Sequence, residues 1–433
     1  MKRKQPGLWL AAIPIVLLGC VGKGIAGSPE RRLETGQDPM QGRAKPTEEQ
    51  MQAAPGIAAS MNSFGFNLIG QLSPPSPKEP NLLVSPASIS LNLQTVLCGA
   101  DGASREGLIK ALALTGKSPE EIRSGAYGLV YDLLKGEDRV LSIANSVWTI
   151  GDAKLTPAFL QNVQSSYAAE GLNVPDRSEA SVKRINDWVK TNTRDRIPTI
   201  IDDLDPMAKV FLVNAIAFDG KWDEPFKKER TKDGDFDSIA GKKVKAKFME
   251  QNGDYMYAKT PEAEVVRVYY KKAEYAMILA LPKPGTGVDK LLGTLQGGGW
   301  DTLVGSMSNH PGLVRFPKWT LRDGFMLNSP LQALGASAAF QPSTDWLSMS
   351  PDLKPEGFIG RVIHKTYIEV DEEGTKAAAA TGTEMRATSA PVPQEPFKFD
   401  ANRPFVYAIQ HVHTGALLFI GVCGDPTVTE MKR

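Results

Sequence analysis

Glu369-Val370-Asp371-Glu372-Glu373-Gly374-Thr375-Lys376, then four alanines (Ala377 to Ala380), then Thr381-Gly382-Thr383-Glu384, is the stretch on which the fold turns. A solvent-exposed linker would be served by polar residues, and a permanent helix would carry an apolar stripe. This stretch has neither. Small side chains recur instead at every second position: Thr375, Ala377, Ala379, Thr381 and Thr383. In a strand these share one face, because strand side chains alternate. Such a face can slide over a packed layer between two existing strands, while the alternate positions from Lys376 to Glu384 include charges that can meet water. Gly374 supplies the backbone freedom of a hinge. The composition also fits an alanine-rich linker with no role. Beyond it, Met385-Arg386-Ala387-Thr388-Ser389-Ala390 runs to a proline-rich exit at Pro391, Pro393 and Pro396.

Outward from this segment, strand and helix patterns follow one another without regular strand-helix-strand order. Toward the N-terminus, residues 362–370 are strand-like, 323–334 helical and 312–321 strand-like. Met277 to Leu281, Val265 to Tyr270, and Val244, Ala246 and Phe248 also alternate as strands. Val210 to Phe218 and Leu141 to Ile150 are nearly continuously apolar, the pattern of strands covered on both faces. Helices are expected at Val182 to Thr193, at Glu120 to Leu134, up to Leu114, and at Met61 to Leu72. Leu82-Leu83-Val84 is a short buried strand running into Ser85-Pro86, with Ser85 placed as a helix cap and Pro86 in the first turn. At the other end, Phe405 to Gln410 and Ala416 to Val422 form a hairpin around Thr414-Gly415. Many strands, several helices and no βαβ alternation indicate an α+β fold.

The first residues are set aside from the core. Met1 to Lys4 carry three positive charges and Leu8 to Leu18 are apolar. That run is shorter than the roughly 20 residues a spanning helix needs, so residues 1–19 are expected to be a signal peptide. It ends in Leu17-Leu18-Gly19-Cys20, which looks like the lipobox of bacterial lipoproteins, with Cys20 the lipidated residue. Removing Lys2, Arg3 and Lys4 takes the formal charge from +1 to −2. Neither value recruits nucleic acid or an anionic surface. Residues 20–55 have little apolar periodicity and are expected to be a flexible tether. Residues 56–433 contain no second linker or repeat and are expected to form one domain. Cys98 and Cys423 lie in apolar stretches; one disulfide or two buried thiols both fit.

Catalytic signatures are thin. There are four histidines, His310, His364, His411 and His413. Gly335-Ala-Ser337-Ala-Ala lacks the closing glycine of a nucleophile elbow. Gly116-Lys117-Ser118 resembles the end of a phosphate loop, but Ala111 stands where its first glycine belongs. His411 and His413 would share one face of a strand, yet no third ligand lies nearby to close a zinc site. No catalytic residue, metal or cofactor is expected.

The resemblance that orders these observations is to the serpin family. Glu372-Glu373-Gly374-Thr375, then Ala377 to Thr381, resembles the reactive-loop hinge of inhibitory serpins. Asn402-Arg403-Pro404-Phe405 looks like the family's signature after that loop. Asn81 to Ile89 with Gly99-Ala100, Phe211 to Ile216 with Gly220-Lys221-Trp222 and Pro225-Phe226, and His364-Lys365 match in the family's order, from about Met61 to Pro426.

The resemblance implies three sheets, about nine helices and an exposed reactive loop at about 372–396, held in a metastable state. It implies a single-use inhibitor of serine or cysteine proteases, with Ser85, Ser88, Asn214 and His364 forming the shutter where the main sheet parts and Trp222 at the top of the opening. Counting from the hinge places the scissile bond at Thr388-Ser389, which suits elastase-like or subtilisin-like enzymes. Cleavage at Arg386-Ala387 would instead recruit trypsin-like ones. Lys376 stands where inhibitory members usually carry Glu, a departure that bears on inhibition; a non-inhibitory carrier is the alternative function. The expected protein is an exported, lipid-anchored monomer of the cell envelope.

Overall fold

The computed structural model describes residues 43–135, 140–207, 209–375 and 395–431. Nine α-helices occur among them: α1 (Glu48–Ile69), α2 (Pro86–Leu97), α3 (Gly102–Ala111), α4 (Pro119–Leu134), α5 (Pro157–Tyr167), α6 (Glu179–Asn192), α7 (Val288–Thr294), α8 (Gly299–Gly305) and α9 (Asn328–Leu331). The α+β class, with nine helices and several sheets, agrees with expectation.

The largest sheet has nine strands in the order β1 (Leu82–Val84), β16 (Leu417–Cys423), β15 (Phe405–His411), β9 (Tyr275–Pro282), β8 (Ala263–Tyr269), β7 (Lys243–Lys259), β10 (Ser308–Pro317) and β14 (Phe397–Asp400), with β6 (Lys232–Asp237) paired to β7. Strands β9, β15 and β16 are buried along their whole length, so they read as unbroken apolar runs. A second sheet holds β3 (Glu170–Val174), β2 (Leu141–Ile150) and β4 (Val210–Phe218). The third holds β11 (Trp319–Met326), β12 (Ile363–Val370), β13 (Gly374–Thr375) and β5 (Gly220–Lys221).

Helix α2 shows how local sequence sets an element. Ser85 has extended backbone and its hydroxyl accepts from Ser88 N, while Pro86 occupies the first turn. Eleven of its twelve residues are buried, since it is the central helix under the sheets.

Two boundaries differ from the sequence expectation. Helix α1 begins at Glu48, inside the stretch expected to be tether, and ends at Ile69. Thr47 and Gln50 form a capping box, and Pro55 sits within the helix. Gly128 of α4 lets α1 come close: a Cβ there would lie 2.2 Å from the Gln50 carbonyl. The helix expected at 323–334 starts later than expected, because β11 runs to Met326; helical backbone begins at Asn328 with the short α9 and continues as a π-helical turn from Gln332. Asp323 disguised the alternation: it is buried, where its carboxylate accepts from Leu83 N at 3.0 Å. Cys98 and Cys423 are free thiols.

Candidate functional site

Strand β12 ends at Val370, and the chain reverses at once. Asp371 N donates to Gly374 O at 2.9 Å, and the Asp371 carboxylate accepts from Glu373 N (2.9 Å) and Gly374 N (3.2 Å). This turn sends β13 back antiparallel to β12, with Val370 opposite Thr375. On its other side β13 pairs with β5, Gly374 opposite Lys221 and Thr375 opposite Gly220. Only glycine fits at 374: φ is +151°, and a Cβ would fall 2.1 Å from the Gly220 carbonyl oxygen.

The seat of this turn is aromatic and charged. Trp222 N donates to Glu373 O (3.0 Å) and Trp222 Nε1 to Asp371 O (2.9 Å). The Trp222 ring stacks on Tyr270 at 4.5 Å and 11°. Tyr270 Oη lies 2.7 Å from Thr375 Oγ1, both side chains buried. Burial raises the Tyr270 hydroxyl well above the ordinary phenol range, so it remains a neutral hydrogen-bonding group. Phe226 N donates to Glu372 O at 2.8 Å. The Glu372 carboxylate takes Lys318 Nζ at 2.6 Å and Thr231 Oγ1 at 2.8 Å, and Glu373 pairs with Lys228 at 2.8 Å. Burial alone would raise the Glu372 carboxyl, but Lys318, its own backbone N–H and Thr231 together hold it below its usual value.

Strands β4 and β12 lie side by side, yet no ladder joins them among the described residues. The main sheet is therefore parted into a three-stranded and a four-stranded half, and β13 heads into the seam. Below the seam, Ser85 N donates to His364 Nε2 at 3.0 Å and Ser85 Oγ to Leu418 O at 2.6 Å. His364 is fully buried, and desolvation pushes its pKa down to about 3, so it is a neutral acceptor. Ser88 Oγ is buried with no hydrogen-bond partner among the described residues. The backbone of Asn214 in β4 sits opposite Asn145 of β2. A cleft lined by Ile89, Leu93 and Val96 of α2, Leu212 of β4, and Ile363 and His364 of β12 has room for about one water molecule. It is a seam between elements, too narrow for a sizeable ligand.

The structure thus brings Glu372, Glu373, Gly374 and Thr375 onto Trp222, and Ser85 and Ser88 close to His364. Ala377, Ala378, Ala379, Ala380 and Thr381, the bond Thr388-Ser389, its alternative Arg386-Ala387, and Cys20 lie outside the described residues. Sequence reading missed Tyr270, Lys318, Thr231 and Lys228, which come from distant segments and match no motif. His411 Nδ1 lies 2.8 Å from Thr414 Oγ1 and His413 pairs with Asp132; among the described residues no His, Cys, Asp and Glu cluster is placed to hold a metal ion.

Comparison with known proteins agrees with this geometry. The family described as "Serpin (serine protease inhibitor)" matches residues 59–426. The leukocyte elastase inhibitor of Bos taurus is 33% identical over 385 residues, covering 86% of this chain and 99% of that protein. The Homo sapiens protein of the same name is 30% identical over 383 residues, with the same coverage. Among solved structures, the thermophilic serpin tengpin in its native state superposes with a TM-score of 0.76 at 28% identity, covering 85% of this chain and 93% of its own. Human thyroxine-binding globulin, at 23% identity and a TM-score of 0.77 over 87% of this chain and 100% of its own, shares the fold.

Proposed function

Because the chain belongs to the serpin family, we propose that it is a suicide-substrate inhibitor of serine endopeptidases, with cysteine endopeptidases as a second target class. The observation that carries this is β13: Gly374 and Thr375 are already paired between β12 and β5, at the head of a seam that no ladder closes among the described residues. A target protease attacks the Thr388 carbonyl, its nucleophile forms the acyl bond, and the Ser389 amine leaves. The freed segment then zips into the seam from Thr375 downward, serpin loop insertion being a standard example of stored strain released. The 13 residues from Lys376 to Thr388, at about 3.3 Å each, move the acyl-enzyme roughly 43 Å. Catalytic hydrogen bonds hold only within a fraction of an ångström, so the displaced enzyme loses its oxyanion geometry and deacylation stalls.

The partner class follows from the bond. Cleavage after Thr388 suits elastase-like and subtilisin-like enzymes, as the names of the leukocyte elastase inhibitors support; cleavage after Arg386 would suit trypsin-like ones. Incubation with elastase, subtilisin and trypsin should give a covalent, SDS-stable complex with at least one. Quantitative loop cleavage that leaves every enzyme active would instead favour a carrier role. The run Leu17 to Cys20 supports export and lipid anchoring in the cell envelope. Labelling with a radioactive fatty acid in a bacterial host should mark the natural chain and spare Cys20→Ala; an unlabelled natural chain would sink the anchor.

A further inference from the structure

Strand β11 is the outer strand of the sheet it shares with β12, β13 and β5. A strand in that place offers a row of backbone N–H and C=O groups to any chain able to pair with it. The segment after β16 covers that row. Asn81 steadies its start: Oδ1 accepts from Gly424 N and Asp425 N at 2.9 Å each, and Nδ2 donates to Asp425 O and Val428 O at 2.8 Å each. The segment then runs parallel to β11 with Glu430 beside Arg322. Arg322 N donates to Thr429 O at 2.8 Å, and Met431 N donates to Arg322 O at 3.0 Å. The Met431 side chain is buried, while Thr429 and Glu430 are exposed. The pairing sets opposite charges at facing positions, and the Arg322 guanidinium lies over the Tyr367 ring at 4.5 Å.

Backbone groups of a strand point alternately toward its two sides. Arg322 points outward, so Thr320, Gly324 and Met326 of β11 do as well. Gly324 N donates to Asp323 Oδ1 at 2.8 Å, while Asp323 Oδ2 takes Leu83 N. The N–H groups at two outward positions are therefore closed, one by a neighbouring carboxylate and one by the segment after β16. Without that segment the edge is self-complementary. Two copies related by a two-fold axis at Asp323 would set Arg322 of each against Gly324 of the other, and Thr320 against Met326, in an antiparallel pair. Gly324 has no side chain to crowd the guanidinium, and its N–H would turn from Asp323 to the facing Arg322 carbonyl. Met326, at the end of this edge, is a large apolar side chain left exposed. A slip that faces Arg322 with its own copy is resisted by like charge.

We propose that Thr429, Glu430 and Met431 are a guard strand that keeps copies of this chain from joining edge to edge, and that β11 without them docks on β11 of a second copy. Ending the chain after Val428 keeps every Asn81 bond and removes the guard. Sedimentation equilibrium should give the natural chain a single mass and the shortened chain twice that mass, with the reactive loop uncut on denaturing gels. Met431→Pro keeps the segment and deletes the N–H that donates to Arg322 O, so it serves where the shortened chain does not fold, and it should pair in the same way. Hydrogen exchange reads the contact locally: exchange across Trp319–Met326 should slow as the Met431→Pro chain is concentrated and stay constant in the natural chain. Adding Thr320→Pro, which removes an outward N–H and leaves the bonds to β12 in place, should return both variants to the single mass. A folded shortened chain, or a folded Met431→Pro chain, that keeps the natural mass would overturn the guard. So would a natural chain already at twice the mass, or association that survives Thr320→Pro, since the contact would then lie elsewhere.

Discussion

Gly374→Ala tests whether β13 is the seed of insertion. The new Cβ would stand 2.1 Å from the Gly220 carbonyl oxygen and 2.7 Å from Lys221 Cα, against a usual floor of 3.0 Å, at a φ of +151° that L residues rarely adopt. Backbone on both sides leaves no flexible side chain to yield. The strained conformation and the forced shift together cost about 1–3 kcal/mol. In the intact protein the chain can lift Gly374 and Thr375 out of the sheet, so melting should change little. In the nicked protein the same position is locked beneath the inserted strand, so the cost appears there. At about 1.4 kcal/mol per factor of ten, the ratio of cleaved to trapped molecules should rise roughly 5- to 150-fold. Densitometry of SDS gels at several protease ratios, with melting of both forms, measures this. Trapping at the natural efficiency, with an unchanged nicked melting point, would mean that β13 is a resting contact and no seed.

Three further outcomes are expected. Burial depresses the His364 pKa from 6.5 to about 3, so its contribution is complete above about pH 6.5 and shrinks as pH falls toward 3. About 2 kcal/mol should be lost by pH 5 relative to pH 7.5 in urea melts, and a His364→Gln variant that keeps the same pH slope would refute the assignment. Lys318→Met leaves the Glu372 carboxylate with Thr231 as its side-chain partner; stability of the intact protein should drop by about 1–3 kcal/mol, and an unchanged urea midpoint would show the pair to be solvent-screened. Mass spectrometry of the cleaved loop should place the cut after Thr388, whereas a cut after Arg386 would transfer the target class to trypsin-like enzymes.

The sequence showed the hinge because its demand is compositional: small residues at alternate positions leave a mark that needs no partner to be read. It showed Ser85 and Pro86 because a cap and a first-turn proline act within one helical turn. It did not show Tyr270 or Lys318, whose roles exist only once β8, β11 and β13 are brought together. Asp323 misled the period count because a buried carboxylate on the apolar face of a strand looks like a helix boundary until its acceptor role toward Leu83 is seen. Helix α1 runs through Pro55-Gly56, a local breaker overruled by close packing against α4 at Gly125 and Gly128. The parting of the main sheet left no trace at all, since β4 and β12 read as strands whether or not hydrogen bonds join them.

Strands β15 and β16 lie deep in the nine-stranded sheet, on the far side of the reactive loop from everything that precedes it. A cut after Thr388 therefore severs the covalent thread but releases nothing, because the 45-residue remainder from Ser389 to Arg433 supplies the middle of the core. Spent inhibitor should travel as a single particle through a sizing column and fall into two pieces only in detergent.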